Sequence, residues 1–139
     1  MRKRTKAREY ALQILYAVDI TKNDPKDCID RFWEGNDESS GQVKEFADKI
    51  VLGVSDKLKE IDSLITKHAT NWQLDSMAVI DRNVLRLATF ELLFMEEIPP
   101  KVSINEAIDI AKKFGGNDSG KFVNRVLDKI NKTEIKKEK

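Results

Sequence analysis

Five of the first eight residues are cationic: Arg2, Lys3, Arg4, Lys6 and Arg8. A cluster of this density attracts phosphate-rich polymers. Formal charge is +5 over residues 1–8, +2 over 132–139 and −6 over 9–131. A basic end on an acidic body draws a polyanion to one end only. Many soluble chains begin with basic residues, so other features must name the anion. The single histidine, His68, has no cysteine pair or HExxH companion, and no metal site is expected. There is no GxSxG, P-loop or GxGxxG pattern. Gly115, Gly116 and Gly120 read as a helix stop and a cap residue rather than a phosphate cradle. No catalytic residue and no cofactor is expected. The lone cysteine, Cys28, cannot form an internal disulfide and reads as a small half-buried apolar residue of a reducing cytoplasm.

Helices must position these residues. Ala7, Ala11, Leu12, Ile14, Leu15 and Val18 form an apolar stripe over Thr5–Ile20. Asp24-Pro25 reads as an N-cap and first helical position, with a short helix to about Trp33. Ser39 with Gln42 fits a capping box opening a third helix, which Gly53 weakens without ending. Leu58, Ile61, Leu64, Ile65 and Ala69 mark a fourth, stopping near Asn71-Trp72. Met77–Met95, capped by Asp75, is apolar on most faces and predicts a central helix contacted on several sides. Pro99-Pro100 stops it. Ser103 and Glu106 read as a second capping box for Ile104–Phe114, ended by Gly115-Gly116. Asp118 reads as the N-cap of a last helix carrying Val123, Val126, Leu127 and Ile130 inward.

The expected class is therefore all-α, about seven helices with short connections. At 139 residues the chain suits one domain. A soft seam near Ala69–Gln73 divides it into an N-terminal helical part (about 5–70) and a C-terminal part (about 75–131). The basic start covers 1–8, and a frayed, disordered lysine-rich tail is expected over 132–139. With 40% hydrophobic and 35% charged residues and no apolar run near ~20 residues, the composition is that of a soluble protein with no membrane segment. No signal-peptide core follows the basic start, and a cytoplasmic location is expected.

The chain resembles the NusB family of bacterial transcription antitermination factors. The resemblance rests on Ala7-Arg-Glu-Tyr-Ala-Leu-Gln-Ile-Leu-Tyr16, Asp81–Leu92, Ile98–Gly115 and Asp118-Ser-Gly-Lys-Phe-Val-Asn-Arg-Val-Leu-Asp128, in order and at consistent spacing. Thr21–Gly41 is not aligned. The resemblance implies two small helical subdomains around a long central helix. It implies binding of single-stranded boxA RNA from ribosomal RNA leaders together with the ribosomal protein NusE, in the elongation complex with RNA polymerase. It implies an RNA surface comprising Arg2, Lys3, Arg4, Lys6 and Arg8, with Asp118, Lys121 and Phe122 at the start of the last helix. Tyr16, at the end of the first apolar stripe, is a further candidate for RNA contact. Cations on phosphates and aromatic rings on bases suit unpaired RNA. Each residue has a structural alternative: Asp118 a cap, Phe122 and Tyr16 core edge, Lys121 a solvated charge. The resemblance also implies that Asp81 contacts NusE. Arg86 is expected in an interhelical ion pair, with Glu106 as partner, or facing RNA. Arg125 departs from the family's usual small residue. A homodimer is a further expected state. Two other readings remain: a helical interaction or dimerisation module without specific RNA binding, and a detached NusB-like domain of a ribosomal RNA methyltransferase.

Overall fold

The computed structural model describes residues 2–135. Among these are seven α-helices and one 3-10 turn. They are α1 (Lys3–Thr21), α2 (Pro25–Glu34), α3 (Gly41–Asp56), α4 (Leu58–His68), the turn Leu74–Ser76, α5 (Val79–Phe94), α6 (Pro100–Gly115) and α7 (Asn117–Glu134). No described helix is long and apolar enough to cross a membrane.

The near-continuous apolar run of α5 puts it at the centre, in contact with α1, α3, α4, α6 and α7. Val84, Leu85, Leu87, Ala88, Phe90 and Leu92 are buried on different faces of this helix. Gly53 lies where α3 crosses it: a Cβ there would collide with the Phe90 ring, so the residue that weakens α3 as a helix permits its closest approach to α5. The apolar core is one contiguous cluster running from Ala7 to Ile130.

Several helix starts differ from expectation. Asp24 does cap α2, accepting from the Lys26 N–H. The α3 cap is Ser40 rather than Ser39, its hydroxyl accepting from the Val43 N–H. Asp75 lies in the 3-10 turn, and α5 starts after Ala78 with no side-chain cap. Ser103 and Glu106 do not form a capping box. Helix α6 begins a turn earlier, at Pro100, because proline suits a first helical position. Ser103 and Glu106 are thereby freed for tertiary contacts. Asp118 is not the cap of α7 either. Gly116, at φ +96°, makes the sharp α6–α7 turn, and Asp118 sits in the first turn of α7.

Two ion clusters hold α1 against α5. In the first, one edge of the Arg8 guanidinium grips both carboxylate oxygens of Glu91, Nε–Oε2 2.7 Å and Nη2–Oε1 2.8 Å. Ser103 donates to Glu91 at 2.7 Å, and Glu106 accepts from Arg8 at 3.3 Å and from Thr5 at 2.7 Å. In the second, Asp19 accepts from Arg82 (2.7 and 3.0 Å), Asn83 (2.9 Å) and Arg86 (3.1 Å). Arg86 also grips Asp62 of α4 at 2.8 and 3.0 Å. The expected Arg86–Glu106 pair does not form: Arg86 faces α1 and α4, and Glu106 faces Arg8. Burial pushes the Asp19 carboxyl up, but Arg82, Asn83 and Arg86 together outweigh it and hold Asp19 well below the ordinary carboxylate range.

The expected fraying after Asn131 does not begin there. Helix α7 continues to Glu134, whose carboxylate meets His68 Nε2 (2.8 Å) and Lys67 Nζ (2.9 Å) of α4. These contacts hold the Glu134 carboxyl below its usual value. The rest of the expected tail, 136–139, lies outside the described residues.

Candidate nucleic-acid interface

The cationic cluster is the first turns of α1 rather than a separate arm, since the helix starts at Lys3. No acidic residue occupies that first turn. Cations there oppose the helix dipole, so the end of α1 carries strong positive potential. Arg2, Lys3 and Arg4 are exposed. Lys3 donates to Gln42 at 3.0 Å, and the Arg4 guanidinium lies 4.6 Å from the Phe46 ring centroid. Cation–π stacking fixes the guanidinium plane and leaves its N–H edges available to an anion.

Two of the five cations differ from the rest. Lys6 is engaged by Glu38 at 2.7 Å. That hydrogen bond raises the Lys6 pKa. The Glu38 carboxyl is held down to about 2 by Lys6 first, then by the Ser40 N–H. Arg8 is 2% exposed and saturated by Glu91 and Glu106. It cannot reach a phosphate without breaking the first cluster, so the expectation that it belongs to the RNA surface is corrected: Arg8 is part of the core. The sequence hid this because Glu91 is 83 positions away.

Contacts between α1 and α6 run in the same order along both helices: Thr5 with Glu106, then Glu9 with Lys113 at 3.0 Å. The two helices therefore share a direction. Tyr16 lies about two turns beyond Glu9 and is 43% exposed.

Past that turn lies a groove of about 360 Å³ whose lining includes Trp72, Met77, Asp81, Asp118, Phe122 and Arg125. It brings together Asp81, Asp118 and Phe122, three residues singled out in the sequence. Lys121 is exposed on the adjoining turn of α7. Phe122 is half-buried and meets Trp72 edge-on, centroids 5.9 Å apart. Neither Asp118 nor Lys121 makes a side-chain hydrogen bond or ion pair with a described residue. The inner oxygen of Asp81, Oδ1, is buried and has no donor among the described residues. Asp81 therefore lies in the same groove as the RNA candidates rather than on a surface of its own. The sequence does not mark Trp72 as a site residue, and it leaves Arg125 between a phosphate contact and solvent. The signal available was the length of the α4–α5 connection, which carries a bulky aromatic outside any apolar stripe.

Fold and site together define an all-helical bundle that offers a polyanion a cationic helix end and, further along, an aromatic groove. The chain belongs to the NusB family, whose family model matches residues 5–132. It is 42% identical to the transcription antitermination protein NusB of Thermodesulfovibrio yellowstonii, over 96% of this chain and 94% of the relative. It is 49% identical to that of Anaeromyxobacter sp. (strain Fw109-5), over 92% and 89%. A solved structure of NusB and NusE in complex with double-stranded RNA superposes with a TM-score of 0.88 at 33% identity, covering 95% of this chain and 98% of the other. NusB of T. maritima superposes with a TM-score of 0.87 at 36% identity, covering 98% and 94%. These relatives are binding factors of transcription, not enzymes.

Proposed function

We propose that this chain is a transcription antitermination factor of the bacterial cytoplasm. It binds the single-stranded boxA element of ribosomal RNA leaders together with ribosomal protein NusE, and the pair keeps RNA polymerase elongating through terminators. The observation that carries this reading is the placement of cationic residues and aromatic groups along α1 and at the start of α7. Arg2, Lys3 and Arg4 stand at the start of α1, Tyr16 about 20 Å further on, and Phe122 with Asp118 and Lys121 beyond the α6–α7 turn. A short single strand can be held by its phosphates at one end and by its bases at the other. Lys6 joins the phosphate contacts by exchanging Glu38 for RNA.

A relative has been captured with NusE and double-stranded RNA, which supports NusE and RNA as ligands here. Asp81, on the central helix at the edge of the groove, is the proposed meeting point of NusE and the RNA. The acidic body suits a basic ribosomal protein.

The test is binding of a boxA strand, a scrambled strand and a boxA duplex, with and without NusE, over a salt series. Selective binding of the boxA strand, tightened by NusE, is expected. Four phosphate contacts from Arg2, Lys3, Arg4 and Lys6 give a log–log salt slope of about −2.8. Equal binding of boxA and scrambled strands would reduce the surface to a nonspecific polycation.

A further inference from the structure

Trp72 and Arg125 have no role in the surface described so far, yet both line the groove that holds Asp118 and Phe122. Trp72 is 48% exposed, more than any other large apolar side chain among the described residues except Ile20. Its placement is built. Asn71 adopts the left-handed conformation at φ +70°, and the Trp72 N–H donates to the Ala69 carbonyl at 3.0 Å. This turn directs the indole back over α7, where it meets Phe122 at an interplanar angle of 66°. An edge-on contact uses the rim of one ring against the face of the other and does not cover both faces of the indole.

Arg125 stands one turn after Phe122, its guanidinium 6.0 Å from the Phe122 centroid. It makes no ion pair or hydrogen bond with a described residue. The groove therefore presents three unsatisfied features together: an open aromatic face, an unpaired guanidinium and the unpaired Asp118 carboxylate. An unstacked nucleotide carries the complement of each: the π-face of a base, a phosphate, and a base N–H. A groove of about 360 Å³ has room for one such unit.

We propose that Trp72 and Arg125 hold one unpaired nucleotide of the bound RNA, Trp72 by stacking on the base and Arg125 by pairing with a phosphate. The proposal rests on the RNA-binding reading above and extends it to two residues of the groove. Phe122 then supports the indole from the side, and the guanidinium over Phe122 is held ready for the phosphate. Duplex RNA offers no free base face, so this groove is what distinguishes a single strand from a double one.

Fluorescence tests it directly. Of the two tryptophans, Trp33 is tied to Asp48 at 2.8 Å on the α2–α3 side of the molecule. The Trp33→Phe variant therefore leaves Trp72 as this chain's sole indole. Its emission is followed while a boxA single strand is titrated in, with and without NusE, and labelled-strand anisotropy is recorded in parallel. The expected result is quenching of Trp72 over the concentration range in which the strand binds, and none with NusE alone or with the duplex. Trp72→Leu should weaken strand binding by about tenfold, the worth of one stacked base, and Trp72→Phe by less. With Arg125 as a fifth phosphate contact the salt slope is about −3.5, and Arg125→Gln should bring it back to about −2.8. Because both side chains are exposed, the thermal melts of these variants should stay in place. Strand binding with unchanged Trp72 emission and full affinity in Trp72→Leu overturns the proposal and leaves the RNA-binding reading intact. Quenching by NusE alone assigns the groove to the protein partner and also overturns it. No strand binding under any condition overturns both.

Discussion

Replacing Arg8 separates the two roles that its sequence position suggests. In Arg8→Met the buried Glu91 carboxylate, 0% exposed, loses two guanidinium hydrogen bonds of 2.7 and 2.8 Å. It keeps only the Ser103 hydroxyl at 2.7 Å. Breaking a buried pair by removing one partner costs about 3–5 kcal/mol. Ser103 and the methionine's apolar packing place this case near the lower end, about 3 kcal/mol. At roughly 3 °C of melting temperature per kcal/mol for a chain of this size, the melt should fall by about 10 °C. Arg4→Gln, by contrast, removes an exposed guanidinium and should leave the melt within about 1–2 °C.

The RNA measurement runs the other way. Below its melting temperature Arg8→Met should keep the wild-type salt slope, because Arg8 touches no phosphate. Arg4→Gln should lower it by about 0.7. Thermal melts and a salt series on the same three proteins decide the matter. A drop in slope for Arg8→Met with an unchanged melt would refute the reasoning and return Arg8 to the RNA surface. The double variant Arg8→Met/Glu91→Met adds a check. Replacing both partners with apolar groups removes the stranded charge, so it should recover most of the lost stability.

Three further perturbations follow from named contacts. The depressed pKa of Asp19 means that its contribution to stability is fully present above the unfolded value of about 3.9. It is lost as pH falls through the lower folded value. Urea melts of Asp19→Asn between pH 6 and pH 2.5 should therefore show a flatter acid limb than wild type; a parallel limb would contradict the assignment. Glu38→Gln removes the charge that Lys6 must leave to reach a phosphate, so RNA affinity should rise while the salt slope stays at its wild-type value, read by the same titration. Gly53→Ala gains helix propensity but forces a methyl into the Phe90 ring; the overpacking, about 1–3 kcal/mol, should win, and calorimetry should show a lower melt.

The helices were legible because their signals are local: apolar spacing in α1 and α4, Asp24-Pro25 before α2, and the unbroken apolar run of α5. Errors gathered where local chemistry competes with distant partners. Ser103 and Glu106 have capping-box spacing, but Glu91 and Arg8 claim them, and Pro100 starts the helix without them. Asp118 looks like a cap until Gly116 takes the turn in a conformation that favours glycine. The groove was half legible. Phe122 and Asp118 came through family resemblance, whereas Trp72 enters the site only through the left-handed turn at Asn71, which a single sequence does not signal.

The two ion clusters bear on function through the rotation of α1. Arg8 and Asp19 are eleven residues apart, and at about 100° per residue they fall within roughly 20° of each other on the same face. Both are held from α5, one by Glu91 and the other by Arg82, Asn83 and Arg86. The clusters have opposite polarity, with α1 supplying the cation at one end and the anion at the other. A reversed or slipped helix would therefore set like charges against each other. An apolar seam alone tolerates small rotations, whereas two bidentate pairs do not. On that fixed helix Tyr16 lies about 80° from Arg8 and Glu9 about 100° from it, on the same flank. That flank is the one along which Glu9 reaches Lys113 of α6. Buried pairs add little net stability over apolar packing. Their contribution here is orientation: they fix the rotation of α1, so that Glu9 and Tyr16 face the α6 side while Lys3 and Arg4 lie toward Gln42 and Phe46 of α3.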